Sequence, residues 1–204
     1  NFGITVAGIW EQGQFRVPST GARISQNTVL LLAGTKEKLG VFDEVYSYYH
    51  ICHLTTNPVL IIGGGRVGQT IADQFKKREI SYLIIEKNPR RMQEDEKNYV
   101  VGNAADIGTL QRAWVKKAPA ALITTHDDAT NIYLTKYLRS LRQDMQILSR
   151  ASVERNVSTL HRAGADFVMS YSSLGANAVF SFLKNENTLI LGEGLNVFRV
   201  TAPQ

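Results

Sequence analysis

The sequence predicts an α/β fold: a Rossmann-like, doubly wound parallel sheet of six strands, flanked by parts of small α+β lobes. Three observations carry this. Apolar runs alternate with helix-period segments from Pro58 onward, as in a parallel sheet with crossover helices. The first run, 59–62, feeds directly into Gly63-Gly64-Gly65-Arg66-Val67-Gly68, and a helical pattern follows. The next run, 81–85, ends on an acid, Glu86, 18 residues after Gly68.

Gly63, Gly65 and Gly68 fit G-x-G-x-x-G. The first would permit the tight turn, and the second would let backbone N–H groups approach a pyrophosphate at the helix N-terminus. The third would let the helix pack close to the strand. Val67, Ile71, Ala72 and Phe75 share the face of a helix over 66–78. Glu86 stands where such a unit places the acid that hydrogen-bonds the adenosine ribose. Glycines that merely serve a turn are the bland alternative, and the ordered set of strand, glycines, helix, strand and acid outweighs it.

The chain continues in the same rhythm. Asn88 suits a cap and Pro89 a first helical position, opening a short helix to about Glu94. A third strand over 99–101 ends at Gly102-Asn103-Ala104, and a helix with Ile107, Leu110 and Trp114 inward follows. The fourth strand, 121–124, leads to Thr125. Asp127 or Asp128 could cap the next helix, with Ile132, Tyr133 and Tyr137 inward. Strand five, 146–148, ends at Ser149-Arg150. Val153, Val157 and Leu160 mark a helix, 166–169 a sixth strand and 172–183 a last helix with Leu174, Ala178 and Phe182 on one side. The ligand of such a sheet lies beyond the C-terminal strand ends. The glycine turn, Glu86, Gly102-Asn103, Thr124-Thr125 and Arg150 all fall there.

Outside this unit the pattern changes. Strands over 4–10, 14–17 and 29–33 and a short helix over 36–46, with Leu39 and Phe42 inward, read as part of a small β-rich lobe. Residues 48–57 read as a linker. Its His50, Cys52 and His53 lack the second ligand pair that structural zinc wants. Strands over 188–191 and 196–200 flank Gly192-Glu193-Gly194. The expected division is therefore 1–47 as the end of one small lobe, 48–57 as linker, 58–186 as the nucleotide-binding unit and 187–204 as the start of another small lobe.

An apolar fraction of 44% supports a proper core in 204 residues. The net charge of +5 is dispersed: Lys76-Lys77-Arg78 and Arg90-Arg91 have acids nearby, which argues against nucleic-acid binding. One cysteine rules out an intrachain disulfide and points to a reducing compartment. No apolar run approaches 18 residues, and no signal peptide is expected at the N-terminus.

The motifs at 61–68, 83–86 and 102–104, Thr125-His126-Asp127-Asp128 with Asn131, Ser149-Arg150-Ala151, and 161–166 together resemble the RCK (KTN) domain. This is the TrkA-type regulator of potassium conductance found in potassium channels and Trk uptake systems. Residues 1–47 resemble most of that family's small C-terminal lobe, as in prokaryotic channels with two modules per subunit. The resemblance implies a cytoplasmic regulatory domain, tethered to or associated with the inner membrane through a parent or partner pore. It implies homo-oligomerisation as a dimer or larger ring. It also implies binding of NAD(H) or an adenine mononucleotide (AMP, ADP or ATP), with Ca²⁺ a ligand of some members. Candidate binding residues are Gly63, Gly64, Gly65, Arg66, Val67, Gly68, Glu86, Lys87, Gly102, Asn103, Ala104, Thr124, Thr125, Asp127 and Arg150. Asn103 departs from the family's frequent acid, which leaves dinucleotide and mononucleotide both open. Glu86 would repel a 2′-phosphate, and Lys87, Arg90 and Arg91 could attract one.

Two other functions compete. An NAD-dependent oxidoreductase would need a proton donor or acceptor among His126, His161, Asp127 and Tyr171, but the chain has no long second domain to build a substrate pocket. A purely structural oligomerisation module would leave the glycine turn empty. The expectation is a non-enzyme. Asp127, Asp128 and Glu86 could meet a cation, but adjacent acids at a helix start read as caps, so no metal is assigned.

Overall fold

The computed structural model describes residues 3–11, 14–24, 28–35, 37–39, 57–92, 96–172, 175–176, 179, 189–190 and 196–197. Near the N-terminus β1 (Thr5–Glu11), β2 (Gln14–Arg16) and β3 (Val29–Ala33) form an antiparallel sheet in the order β2-β1-β3. Residues 37–39 are helical. Most of the expected helix over 36–46 and almost all of the linker lie outside the described residues.

The central sheet holds β4 (Val59–Ile62), β5 (Tyr82–Glu86), β6 (Tyr99–Val101), β7 (Ala120–Ile123), β8 (Gln146–Ala151) and β9 (Phe167–Ser170). Their order is β6-β5-β4-β7-β8-β9, and every neighbouring pair is parallel. All four residues of β4 are buried, as expected for a parallel strand covered on both faces. Helix α1 (Arg66–Lys77) covers one face, where its Ala72 packs on Ile61 and Ile84. Helices α2 (Ile107–Arg112) and α3 (Asp128–Leu141) cover the other, where Leu110, Leu134 and Leu138 meet Leu60, Ile62 and Ile123. Helix α4 (Val157–Ala163) adds a second cluster of Leu160, Ala165, Val168 and Ala151.

Two facings differ from expectation. Helix α2 stops at Arg112, so Trp114 lies beyond it, at φ +61 and exposed. Ile107 is exposed as well, and Ala113 and Val115 take the buried positions. In α3 the inner stripe is Asn131, Leu134, Thr135 and Leu138, while Tyr133 faces outward and stacks on Tyr137. Of the three residues expected inward, Ile132 and Tyr137 are partly buried against the core and Tyr133 alone is exposed; the fully buried stripe includes two polar side chains that size and polarity did not point to. His161, weighed in the sequence as a proton donor or acceptor, is buried, and its Nδ1 lies 3.0 Å from the Ala165 carbonyl oxygen.

Asn88 caps a 3-10 turn (Pro89–Arg91), accepting from the Arg90 amide, and this turn is shorter than the expected helix. After β9, residues 171–172, 175–176 and 179 are helical; Leu174, Ala178 and Phe182 lie outside the described residues. A short antiparallel pair, β10 (Leu189–Ile190) and β11 (Asn196–Val197), follows. No helix among the described residues is long and apolar enough to cross a membrane.

Candidate functional site

The C-terminal ends of β4–β8 open onto one cleft of about 1670 Å³. It sits at the β4/β7 boundary, where the strand order reverses, as the switch-point rule requires.

The floor is the glycine turn. Gly63, at φ +109, donates its N–H to Ile85 O, and its carbonyl oxygen lies 3.0 Å from Thr124 Oγ1. Gly65 is the N-cap of α1 and supplies no side-chain cap, and no acid stands in the first turn. The amides at this helix start therefore face the cleft with the positive end of the helix dipole behind them. A β-carbon on Gly65 would meet nothing within 4 Å, whereas one on Gly68 would lie 2.0 Å from Gly63 O. The two glycines thus have different jobs: the first keeps space open, and the second lets the helix touch the strand.

Glu86 ends β5 and is buried. Its Oε2 accepts from the Gly64 amide at 2.7 Å and its Oε1 from the Asn88 amide at 2.8 Å. The acid therefore braces the glycine turn as well as lining the cleft. A carboxylate has about four lone-pair sites, so acceptor capacity remains for a ligand. Gln69 extends the brace, donating to Gly64 O at 3.2 Å and to the Tyr99 hydroxyl.

The other predicted residues reach the same cleft. Arg66, Val67, Lys87, Gly102, Asn103, Ala104, Thr124, Thr125, Asp127 and Arg150 all line it. Gly102 has φ +156, and a β-carbon there would meet Thr109 Oγ1 at 2.4 Å. Asn103 accepts from the Ala105 amide through Oδ1. Asp106, beyond it, caps α2, and the Thr109 amide that it accepts holds its carboxyl below the usual range.

Asp127 caps α3, accepting from the amides of Ala129 and Thr130. The Thr130 hydroxyl also donates to it and depresses its pKa. Asp128 has a role that no local pattern announces. It accepts from the amides of Ser152 and Val153 and from Asn156 Nδ2, at 2.7–3.0 Å, and so ties α3 to the loop after β8. Asn131 is fully buried and donates to both Thr125 O and Arg150 O, joining the ends of β7 and β8. Sequence reasoning also missed Gln69 and Tyr133 as cleft residues, and it considered Tyr171, which lines the cleft, only as a proton donor or acceptor of an oxidoreductase. Only the period of α1 could have pointed to Gln69, which lies one helical turn from Arg66.

Burial opposes the charged form of Asp128, but its hydrogen bonds, that from Asn156 foremost, leave the carboxyl below its ordinary value. A depressed folded pKa adds stability that is present above the unfolded value of about 4 and is lost as pH falls through the folded value. Hydrogen exchange at the Ser152 and Val153 amides, corrected for intrinsic rate, should therefore quicken as pH drops from 5 to 2. In Asp128→Asn the protection should already be reduced at pH 7. Exchange at these amides that ignores pH in both proteins would contradict this role.

His126 is exposed on the cleft wall, and no side chain among the described residues hydrogen-bonds its ring. His50, Cys52 and His53 lie outside the described residues.

A doubly wound sheet with a glycine turn, a buried acid closing the second strand and a cleft at the switch point defines a domain of the nucleotide-binding α/β class. The TrkA-N domain matches residues 59–171, and the chain belongs to that family. It is a regulatory RCK/TrkA-N domain related to potassium channel proteins. It is 31% identical over 115 residues to Potassium channel protein 1 of Methanocaldococcus jannaschii, covering 54% of this chain and 34% of that protein. It is 32% identical to the GsuK channel bound to NAD, at a TM-score of 0.66, covering 90% of this chain and 33% of that one. To GsuK bound to ADP it is 34% identical, at a TM-score of 0.59, covering 69% of this chain and 38% of that one. The chain spans between 20% and 36% of the length of the first three curated relatives it matches.

Proposed function

We propose that the cleft binds NAD(H) or an adenine nucleotide, and that this ligand is an effector controlling a potassium channel or transporter. The observation that carries the reading is the side-chain-free start of α1. The Gly65, Arg66 and Val67 amides border the cleft there, and Glu86, which holds the Gly64 amide, stands beside them at the end of β5. An anionic diphosphate meets the amides and the helix dipole, and a ribose meets the acid. The related GsuK structures with NAD and with ADP support the ligand class. The residues in contact are the glycine turn with Arg66 and Val67, then Glu86, Lys87, Gly102, Asn103, Ala104, Thr124, Thr125, Asp127 and Arg150.

The ligand is an effector and not a reactant. Relationship to potassium channel proteins supports this. A ligand shifts a conformational equilibrium only by its differential affinity for two states, with typical coupling of about 1–3 kcal/mol. Residues 58–186 form the binding unit, and the small lobes on either side move with it. The domain works in the cytoplasm beside a membrane pore, as a dimer or larger ring.

Two measurements test this. Nucleotide at about 100 times its dissociation constant should stabilise the fold by roughly 2.7 kcal/mol. Gly65→Val should leave the ligand-free melting temperature within about 2 °C of wild type, because open space surrounds that position, yet should remove most of the ligand-induced shift. A melting temperature that no adenine nucleotide raises would reject the binding. Potassium flux through the intact membrane protein that ignores nucleotide would reject the effector role.

A further inference from the structure

Three consecutive glycines are conformationally permissive, so Gly63, Gly64 and Gly65 do not fix their own backbone. What fixes it is seen peptide by peptide. The unit joining Ile62 to Gly63 is held at both ends: Ile62 O accepts from the Thr124 amide at 2.9 Å, and Gly63 N–H donates to Ile85 O at 2.9 Å. The unit joining Gly63 to Gly64 is also held at both ends. Gly63 O lies 3.0 Å from Thr124 Oγ1, and Gly64 N–H donates to Glu86 Oε2 at 2.7 Å. The unit joining Gly64 to Gly65 is held at one end. Gly64 O accepts from Gln69 Nε2 at 3.2 Å, and the Gly65 N–H has no acceptor among the described residues.

A trans peptide is planar, with its N–H and C=O pointing in opposite directions, and no peptide bond among the described residues is cis. A side chain that fixes Gly64 O therefore fixes the direction of the Gly65 N–H. Gln69 is itself braced. Its Nε2 also donates to the hydroxyl of Tyr99, at the start of the edge strand β6, and both side chains are half-buried. Gly64 O can only accept, so the amide nitrogen of Gln69 must face it. That nitrogen carries two protons and both are used. Gln69 lines the cleft, yet it has no donor left for an anion and acts on one through Gly64.

We propose that Gln69, braced by Tyr99, is the positioning residue that aims the Gly65 N–H at the phosphates of a bound nucleotide. This rests on the nucleotide-binding reading above and assigns part of the phosphate affinity to a side chain that gives the phosphates no hydrogen bond of its own. Without Gln69 the Gly64–Gly65 peptide is tethered at neither end, and a glycine on each side lets it turn over at little steric cost. The amide would then have to be ordered when the ligand binds, and affinity falls by what the preorganisation had supplied.

The test is calorimetric titration of the 204-residue chain with ADP, and with adenosine by its displacement of ADP, the second ligand lacking any phosphate. Gln69→Leu keeps the size and helix preference of the side chain but cannot donate. It should bind ADP about tenfold more weakly than wild type, the loss expected for one hydrogen bond to a charged group, and adenosine within about twofold of wild type. Tyr99→Phe leaves Gln69 unbraced and should lose about threefold for ADP; it carries the test if Gln69→Leu does not fold. The double variant should bind ADP no more weakly than Gln69→Leu, because the two side chains act in series. Equal losses for ADP and adenosine would overturn the proposal, since a merely structural role weakens both. ADP affinity that ignores both substitutions would overturn this proposal alone, whereas a wild type that binds neither ligand would overturn this and the reading beneath it.

Discussion

Gly68→Ala is expected to destabilise the ligand-free fold by about 2–3 kcal/mol and to weaken nucleotide binding at least tenfold. Two effects oppose each other. In an unconstrained helix, alanine is better than glycine by about 1 kcal/mol. Here the new β-carbon would lie 2.0 Å from Gly63 O and 3.2 Å from Ile61 Cγ2. The first neighbour is backbone and cannot rotate away. The clash therefore wins, and α1 must lift from β4. The lift moves the glycine turn itself, whose amides Gly63 and Gly64 are fixed to Ile85 O and to Glu86. Urea unfolding read at constant m-value would show the loss. An unchanged midpoint would mean that α1 already has room at Gly68.

Arg139→Ala is expected to cost about 3 kcal/mol, because removing one member of a shielded ion pair strands the other. Its side chain is 18% exposed and that of its partner Asp166 is 11% exposed. All five guanidinium N–H groups are used: on Gly164 O twice, on Gln143 O, on Met145 O and on Asp166. Asp166 in turn accepts from the Ile147 amide at 2.7 Å. One side chain thus joins α3, the turn after α4 and the start of β8. Arg139→Lys should recover little, since an ammonium cannot reproduce the planar fork. Chemical denaturation gives the magnitude, and loss of exchange protection at the Ile147 amide locates it. A loss below about 1 kcal/mol would place Arg139 with ordinary surface pairs.

Glu86 shows how far a spacing argument reaches. Its position at the end of the second strand of the unit was legible from its distance to the glycines. Its hydrogen bond to Gly64 was not, because that bond depends on β5 lying beside β4 at one register. The consequence is practical: Glu86→Ala would disturb the empty turn as well as any ligand, so a binding defect in it would not isolate the ribose contact. Tyr133 shows the opposite failure. A periodicity argument weighted by size put it inside α3, but the stripe that faces the sheet includes Asn131 and Thr135. Asn131 can be buried there only because its amide joins two strand ends that are distant in sequence.

The sequence by itself determined the alternation of strands and helices, the glycine turn, Glu86 at its strand end and the cap at Asn88, and it narrowed the cap of α3 to Asp127 or Asp128. Each of these is a local matter, settled by side chains a few residues apart or by one βαβ spacing. Only the tertiary structure decided what joins one strand end to the next: Asp128 to the loop after β8, Asn131 to Thr125 and Arg150, Arg139 to Asp166, and Arg150 against Tyr171. Those contacts exist because the order β6-β5-β4-β7-β8-β9 sets β7, β8 and β9 side by side. Successive crossovers in one direction bring together polar groups whose partners no local pattern specifies.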